Sequence, residues 1–526
     1  MNNPNQAGAI AFVSRHAERT YEQPVEIVRA DRVDEVCGAL GYLEGRVARG
    51  LHAAGYIAYE AAPAFDPALT CHNGADVGMP LLWFGIYDHA TLSSSRKPPA
   101  AVCGSAAPWK SLIDENAYRA ALEQIRRLIA AGDTYQVNYT FPLESTFRED
   151  PYIWFRTLSA AQNADFAAHL NLGRHRILSA SPELFFRLDG NTLETRPMKG
   201  TRPRGLWPAA DRLLARELAQ SPKDRAENVM IVDLLRNDMG RVSEAGSVCV
   251  QRLFEVERYE TIWQMTSTVT SWTRASVPDI LGALFPGTAR YHVGSGVTWD
   301  SNARDEYSEC VGKAQILTHH RPEFELLESL LFDGEYFLIS RHLERLGASA
   351  DYFGFQLDMA AVHAVLTEDA AVLRDKGSGP RKVRLLLARD GSVRTTCEPA
   401  KPSTPVRIGF AVDPIDESDV FLYHKTTHRG VYDSARASRP DCDDVILWNR
   451  RDEITETTVA NIVLELDGEL RTPHIDSGLL GGVMRAELLH SGKLSEARLT
   501  KEDVRRAGSI QLINSVRKWV DAKLVD

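Results

Sequence analysis

DDVILWNRRDEITETTVANIVLELDGEL, residues 443–470, decides how the second half of the chain reads. DVILWN (444–449) and ANIVLEL (460–466) are short apolar runs with the length and composition of strands. Arg451-Asp452-Glu453 between them is turn-like, and Glu456 follows it by three positions. That carboxylate is either an edge-strand charge or a group with chemistry to do. Upstream lies FLYHKTTHRGVYDSAR (421–436), with Lys425 between His424 and Thr426. A lone lysine there is ordinarily a surface residue, so its companions must carry any other reading. Downstream, TPHIDSGLLGGVMRAELL (472–489) places Gly482-Val483 ahead of a helical MRAELL. FLISRHLERL (337–346), KVRLLLA (382–388) and LINSVRKW (512–519) complete this part of the chain.

The 526 residues suffice for two or three domains, and 44% hydrophobic with 25% charged residues is ordinary for a globular protein. A net charge of −10 excludes a general basic field for nucleic acid or an anionic membrane. An anionic substrate must therefore be caught by local cations. The seven cysteines form no C-x-x-C pair, which argues against a disulfide framework or structural zinc and fits a reducing cytoplasm. The start, MNNPNQAGAIAFVSR, lacks the pattern of a secretion signal, and no run reaches the roughly 18 apolar residues of a membrane span.

Composition breaks fall at RKPPAAVCGSAAP (96–108) and THHRPE (318–323), which predicts domains of 1–320 and 321–526. Helices are predicted over 116–131, stopped by Gly132, over 224–238 and over 304–317; strands over 81–87, 175–188, 382–388, 444–449 and 460–466. Both halves mix the two, so the expected class is α+β.

Ionisable residues concentrate in SASPELFF (179–186), TRPMKGTRPRG (195–205), AENVMIVDLLRNDMG (226–240) and EYSECVGKA (306–314). Glu306, Glu309 and Lys313 share one helix face by their spacing, as they would in a solvated salt-bridge face. The four segments together, with AGYIAYEA (54–61), LLWFGIY (81–87), GDTYQVNYT (132–140) and GSGVTWDS (294–301), resemble the chorismate-utilising family of anthranilate synthase and aminodeoxychorismate synthase component I. The family motif is P-I-A-G-T in the former and P-I-K-G-T in the latter. Pro197-Met198-Lys199-Gly200-Thr201 sides with the latter.

The resemblance implies a β-sandwich with helices in which Lys199 is the nucleophile, Glu183 the general acid and Thr201 a substrate contact. It implies that Glu227 and Glu309 hold Mg²⁺, that Lys313 and Glu306 support the same face, and that Gly294 and Gly296 let the backbone approach the substrate. The chain departs from the family after LFPG (284–287). It runs through TARYHV directly to Gly294, where the family continues with G-S-I-T-G-A-P-K, a helix and core strands bearing a carboxylate-binding arginine. Gln264 also stands where the family has histidine. The sandwich is thus expected to be incomplete between 287 and 294, and its synthase activity weak or absent.

The second half resembles the fold-type IV pyridoxal-phosphate family, α+β enzymes that include 4-amino-4-deoxychorismate lyase and the branched-chain and D-amino-acid aminotransferases. This implies Lys425 as the catalytic and cofactor-linking lysine, Glu456 against the pyridine nitrogen, and Arg345 with the Gly482 and Val483 amides on the phosphate. Thr457 and Asn461 flank the cofactor strand, and Thr427 and Arg429 are substrate candidates. Together the two resemblances imply a cytoplasmic bifunctional enzyme of folate-precursor synthesis. Chorismate and ammonia would give 4-amino-4-deoxychorismate, and loss of pyruvate would give 4-aminobenzoate. Partners would be a separate glutamine amidotransferase and a second copy through the lyase half, with no nucleic acid or membrane. The alternatives are a lyase carrying an inactive docking module, and an aminotransferase in the second half.

Overall fold

The computed structural model describes residues 6–14, 17–71, 78–93, 109–134, 137–146, 150–162, 165–284, 294–297 (backbone alone), 322–375 and 379–525. The chain divides into two compact units, one of Met1–Arg204 with Leu214–Arg321 and one of Gly205–Leu213 with Pro322–Asp526. No helix among the described residues is long and apolar enough to cross a membrane.

The first unit is built on two five-stranded antiparallel sheets and a three-stranded one. One five-stranded sheet runs through Ile10–Val13 and Phe166–Asn171, and packs on the three-stranded sheet through Ile10, Tyr21, Ala54, Trp83, Tyr87 and Leu170. The other contains Leu184–Asp189, Thr192–Arg196, Ile262–Trp272 and Met198–Pro203, and is covered by the helix Pro222–Gly240 through Leu193, Val232, Leu235, Met239 and Val269. Three expected elements show how local sequence sets local structure. The helix Glu115–Ala131 starts where Asp114 accepts from the Ala117 N–H at 2.8 Å, and stops at Gly132, whose φ of 82° favours a residue without a Cβ. The run 175–188 is two strands, Arg176–Ser181 and Leu184–Asp189, because Pro182 has no N–H for a ladder, and Glu183 sits at the break. The 224–238 pattern lies inside the helix Pro222–Gly240, capped by Ser221 with Pro222 at its first turn. The helix expected over 304–317 lies outside the described residues.

The second unit combines a four-stranded antiparallel sheet with a barrel. In the sheet, Leu326–Asp333 pairs with Arg381–Leu387, which pairs with Val393–Pro399. The helices Ile339–Phe353 and Met359–Asp375 cover it through Leu343, Leu346, Phe353, Val362 and Leu366. In the barrel, six strands follow one another in the order Ile454–Thr457, Asp444–Trp448, Val406–Phe410, Lys518–Leu524, Ser509–Asn514 and Asn461–Leu466. The last returns to the first through Glu456 opposite Asn461. Ile408, Ile446, Ile454, Ile462, Leu464, Leu512 and Val520 fill one packed core, while Val463 and Ile513 join a second cluster with Met484 and Leu488. Burial on both faces explains why NIVLEL is nearly continuously apolar rather than alternating.

Candidate functional site

In the second unit a cavity of about 490 Å³ is lined by Arg345, Lys425, Glu456, Asn461, Gly482 and Val483, six of the residues singled out in the sequence. Apart from the adjoining Gly482 and Val483, each arrives on a different element. Lys425 lies in the segment after the short helical turn Val420–Leu422, and its carbonyl accepts from the Leu327 N–H at 2.9 Å. Two residues on, the Thr427 N–H donates to Glu325 O, so 425–427 is stitched to the sheet strand Leu326–Asp333. Burial first, then the positive charges of Arg345 and Arg429, push the Lys425 amine down to about 8; Glu328 and Glu456 oppose them. Such an amine is half neutral near pH 8, and so is a competent nucleophile and proton carrier.

Glu456 is buried on Ile454–Thr457. Its Oε1 accepts from Tyr432 Oη at 2.9 Å and from the Leu480 N–H at 2.9 Å, and its Oε2 from Asn461 Nδ2 at 3.2 Å. Burial pushes the carboxyl up to about 7, against the pull of the Leu480 amide, the Tyr432 hydroxyl, Lys425 and Arg429. A carboxylate held by three donors and, among the described residues, not paired with a cation is ready to receive a proton-bearing ring nitrogen.

Arg345 is set by Glu328. Its Nε and Nη2 donate to the two carboxylate oxygens at 2.8 and 2.7 Å, and Nη1 donates to Gly481 O at 3.2 Å. Two of its five N–H groups are left for a ligand. Glu328 is buried and meets His342 Nδ1 at 2.6 Å; burial works against its charge, but Arg345 and His342 outweigh it and hold the carboxyl down at about 2. Gly482 precedes the helix Val483–His490. A Cβ at Gly482 would lie 2.0 Å from Asn461 Oδ1, so the carboxamide and the helix start fit together only with glycine there.

Two expected residues stand elsewhere. Thr457 does not line the cavity: its hydroxyl donates to Ala460 O at 3.1 Å, because strand alternation points it away from the face that Glu456 uses. Thr458 lines the cavity instead. Thr427 is exposed, and its hydroxyl accepts from the Glu325 N–H at 2.9 Å. Arg429 does line the cavity, donating to Thr458 O at 2.5 Å and stacking on the Tyr432 ring at 4.6 Å. Tyr432, Glu328 and His342 escaped the sequence reading. Glu328 had a legible signal, a single carboxylate inside the apolar LLESLLF (326–332).

In the first unit Lys199 and Glu183 are close enough to interact electrostatically. Lys199 is half-buried on Met198–Pro203 and followed by Gly200 at φ 95°, where the pairing with Ile262–Trp272 shifts register. Glu183 is exposed; the desolvation around it raises its carboxyl pKa, while the Met198 N–H and Lys199 lower it. Thr201 donates its hydroxyl to Gln264 Oε1 at 2.9 Å, so the residue in place of the family histidine anchors it. Glu227 is half-buried, 4.0 Å from Lys223. The backbone of Gly294–Val297 pairs with Val137–Thr140, with Gly294 opposite Thr140 and Gly296 opposite Asn138. Glu306, Glu309 and Lys313 lie outside the described residues. Among the described residues no group of three His, Cys, Asp or Glu could hold a metal ion. Glu227 by itself does not make a Mg²⁺ site.

Residues 1–289 match the family model for chorismate binding enzymes, and residues 324–525 that for amino-transferase class IV. Aminodeoxychorismate synthase component 1 of Klebsiella aerogenes is 37% identical over 260 residues, covering 45% of this chain and 57% of that protein. The chain thus spans about half the length of this curated relative. Two solved structures resemble the second half. One, from Mesorhizobium loti and provisionally described as an amino-acid aminotransferase, is 34% identical, covers 39% of this chain and 100% of its own, and has a TM-score of 0.37. The other, 4-amino-4-deoxychorismate lyase from Pseudomonas aeruginosa, is 24% identical, covers 38% and 83%, and has a TM-score of 0.34. The class IV family implies pyridoxal phosphate. The cavity fits that group: a lysine with a lowered pKa, a buried carboxylate with three donors, an arginine with spare N–H groups, and a glycine where a Cβ has no room.

Proposed function

Because the chain belongs to the chorismate binding enzyme family, whose model spans residues 1–289, and continues into an amino-transferase class IV region over 324–525, we propose that it is a bifunctional enzyme of 4-aminobenzoate synthesis. The first domain, 1–320, joins chorismate and ammonia from a separate amidotransferase into 4-amino-4-deoxychorismate. The second, 321–526, removes pyruvate from it. The observation that carries the reading is the meeting of Lys425, Glu456 and Arg345 in one cavity.

In the second domain, bound pyridoxal phosphate supplies a ring that withdraws electrons from a carbon losing a proton or a leaving group. The protein's part follows from its own groups. Arg345, aimed by Glu328, and the Gly482 and Val483 amides hold the phosphate end. Glu456, held by Tyr432, Leu480 and Asn461, keeps the proton on the ring nitrogen. Lys425 would hold the cofactor aldehyde, and its amine, with a pKa of about 8, would take up and return a proton at the reacting carbon. Aromatisation of the product drives the elimination forward.

In the first domain, the amine of Lys199 is the nucleophile that adds to the chorismate ring, and Glu183 the acid that protonates the departing hydroxyl. Thr201, held by Gln264, contacts the substrate, and the Gly294 and Gly296 backbone approaches it. Glu227 and Glu309 would supply the carboxylate oxygens for Mg²⁺. The short connection after residue 287 favours a second reading, in which only the lyase domain turns over.

The test is spectroscopic and then chemical. The purified chain should be yellow, and borohydride should fix the label on Lys425; a colourless protein that takes up no pyridoxal phosphate would sink the lyase reading. Chorismate with ammonium should yield an amino-deoxy product that Lys199→Ala abolishes. No product from the intact chain selects the second reading.

A further inference from the structure

Seven cationic side chains line the cavity of the second unit, Arg345, Lys382, Arg384, Lys401, Lys425, Arg429 and Arg517, against two carboxylates, Glu398 and Glu456. The whole chain carries −10, so this excess is a local construction. Several of the charges are already matched. Lys382 pairs with Glu398 at 2.8 Å, Arg345 with Glu328, and Lys425 feels Glu456. Arg429 spends one N–H on Thr458 O and its face on Tyr432. Among the described residues, Arg384, Lys401 and Arg517 form no direct ion pair; the one Glu398 carboxylate, already bonded to Lys382, is all that attracts Arg384 and Lys401 electrostatically from the cavity wall.

Their backbones are fixed independently. On Arg381–Leu387, Val383, Leu385 and Leu387 are buried in the core, so Lys382 and Arg384 share the other face, toward the cavity. Arg517 sits in the turn after Ser509–Asn514. There Asn514 Oδ1 accepts from the Val516 and Arg517 amides at 3.0 and 2.8 Å, and Ser403 Oγ donates to Arg517 O at 2.7 Å. Asn514 Nδ2 donates to Val459 O at 3.3 Å, tying that turn to the Thr458–Ala460 wall. Lys401 follows the hairpin strand Val393–Pro399. Pro399, Val459 and Val516 give the same cavity apolar walls.

We propose that Arg384, Lys401 and Arg517 form an outer anion subsite, distinct from the phosphate-holding Arg345–Gly482–Val483 group, which selects a cyclic amine bearing two carboxylates over a monocarboxylate amino acid. The inference deepens the lyase reading and rests on it for the amine. Two guanidinium forks and an ammonium, brought by three separate segments, suit separate carboxylates better than one. A substrate with one carboxylate and an apolar side chain leaves positive charge in the cavity uncompensated. This also weighs against an ordinary amino-acid aminotransferase.

The probes are isophthalate and benzoate, which share a ring and differ by one carboxylate. Binding of each to the full chain saturated with pyridoxal phosphate, and to the cofactor-free chain, is measured by calorimetry. Isophthalate should bind about tenfold tighter than benzoate, as one charge-assisted contact allows. Arg384→Gln and Lys401→Gln should each shrink that preference to within about twofold, with the cofactor spectrum unchanged. Lys401 is exposed, so its variant retains the fold even where Arg384→Gln does not. Equal affinity of the intact chain for the two probes, or a preference untouched by both substitutions, overturns the subsite. Failure to label Lys425 instead overturns the cofactor reading, and leaves the comparison in the cofactor-free chain to decide the subsite by itself.

Discussion

Asn461 Oδ1 occupies the space that a side chain at Gly482 would need, 2.0 Å from where a Cβ would stand. The same carboxamide donates through Nδ2 to Glu456 Oε2 and to Leu480 O, at 3.2 and 2.9 Å. Gly482→Ala must therefore displace Asn461 and with it one of the three donors on Glu456. A stability loss of about 1–3 kcal/mol is expected from the overpacking. Pyridoxal phosphate should also be retained more weakly. Denaturant unfolding and equilibrium dialysis of the cofactor check this; unchanged retention would show that the helix start does not meet the phosphate.

Tyr432 donates to Glu456 Oε1 and so favours its ionised form. In the folded state this carboxyl titrates at about 7, above its ordinary 4.5. The folded protein thus holds the proton more tightly than the unfolded one, and cofactor-free stability should decline as pH rises from 4.5 through 7. Tyr432→Phe removes a donor, pushes the titration higher and extends that decline upward. It should cost about 1 kcal/mol at neutral pH. Thermal unfolding across pH 4–8, with Glu456→Gln as the control that flattens the slope, tests the assignment.

Glu328 has the opposite sign. Its folded pKa of about 2 lies below its ordinary 4.5, so its contribution is present above 4.5 and is lost as pH falls toward 2. Glu328→Gln leaves Arg345 and the buried His342 without their shared carboxylate, which should cost about 3–5 kcal/mol, the scale for breaking a buried pair. Because Glu328 also raises the Lys425 pKa, the variant should move the amine further below 8. The pH dependence of borohydride trapping reads that shift separately from stability.

How far the site was legible follows from what each residue must do alone. Lys425, Glu456, Arg345 and Gly482 sit in the short motifs that carry the resemblance to the fold-type IV family, and the structure brings them to one cavity. Tyr432 was opaque because its role depends on the helix Gly430–Ala437 facing the strand Ile454–Thr457, a long-range relationship that no local pattern encodes. Thr457, expected beside the cofactor, faces away while Thr458 lines the cavity, because a single step along a strand reverses the face. The barrel was invisible for the same reason: strands such as Asp444–Trp448 and Asn461–Leu466 read as apolar runs, but closure lies in which strands pair. The break at Pro182 could have been read, since proline interrupts a ladder wherever it falls inside a run.

His169 makes a final prediction for the first unit. It is fully buried on Phe166–Asn171, its ring against Tyr152 at 5.4 Å and Phe155 at 5.6 Å, and among the described residues neither ring nitrogen has a hydrogen-bond partner. Burial first, then the charge of Arg176, pushes its pKa down to about 4, with Asp150 opposing. The unfolded chain binds this proton from about 6.5 downward, the folded chain only near 4. Stability is therefore full above 6.5 and lost as pH falls through that window, by up to about 3 kcal/mol. His169→Phe keeps a ring of similar bulk and has nothing to protonate. It should be at least as stable as the parent at pH 7 and clearly more stable at pH 5, the difference growing on acidification. Equal pH dependence in the two proteins would show that the acid sensitivity of the first unit arises elsewhere.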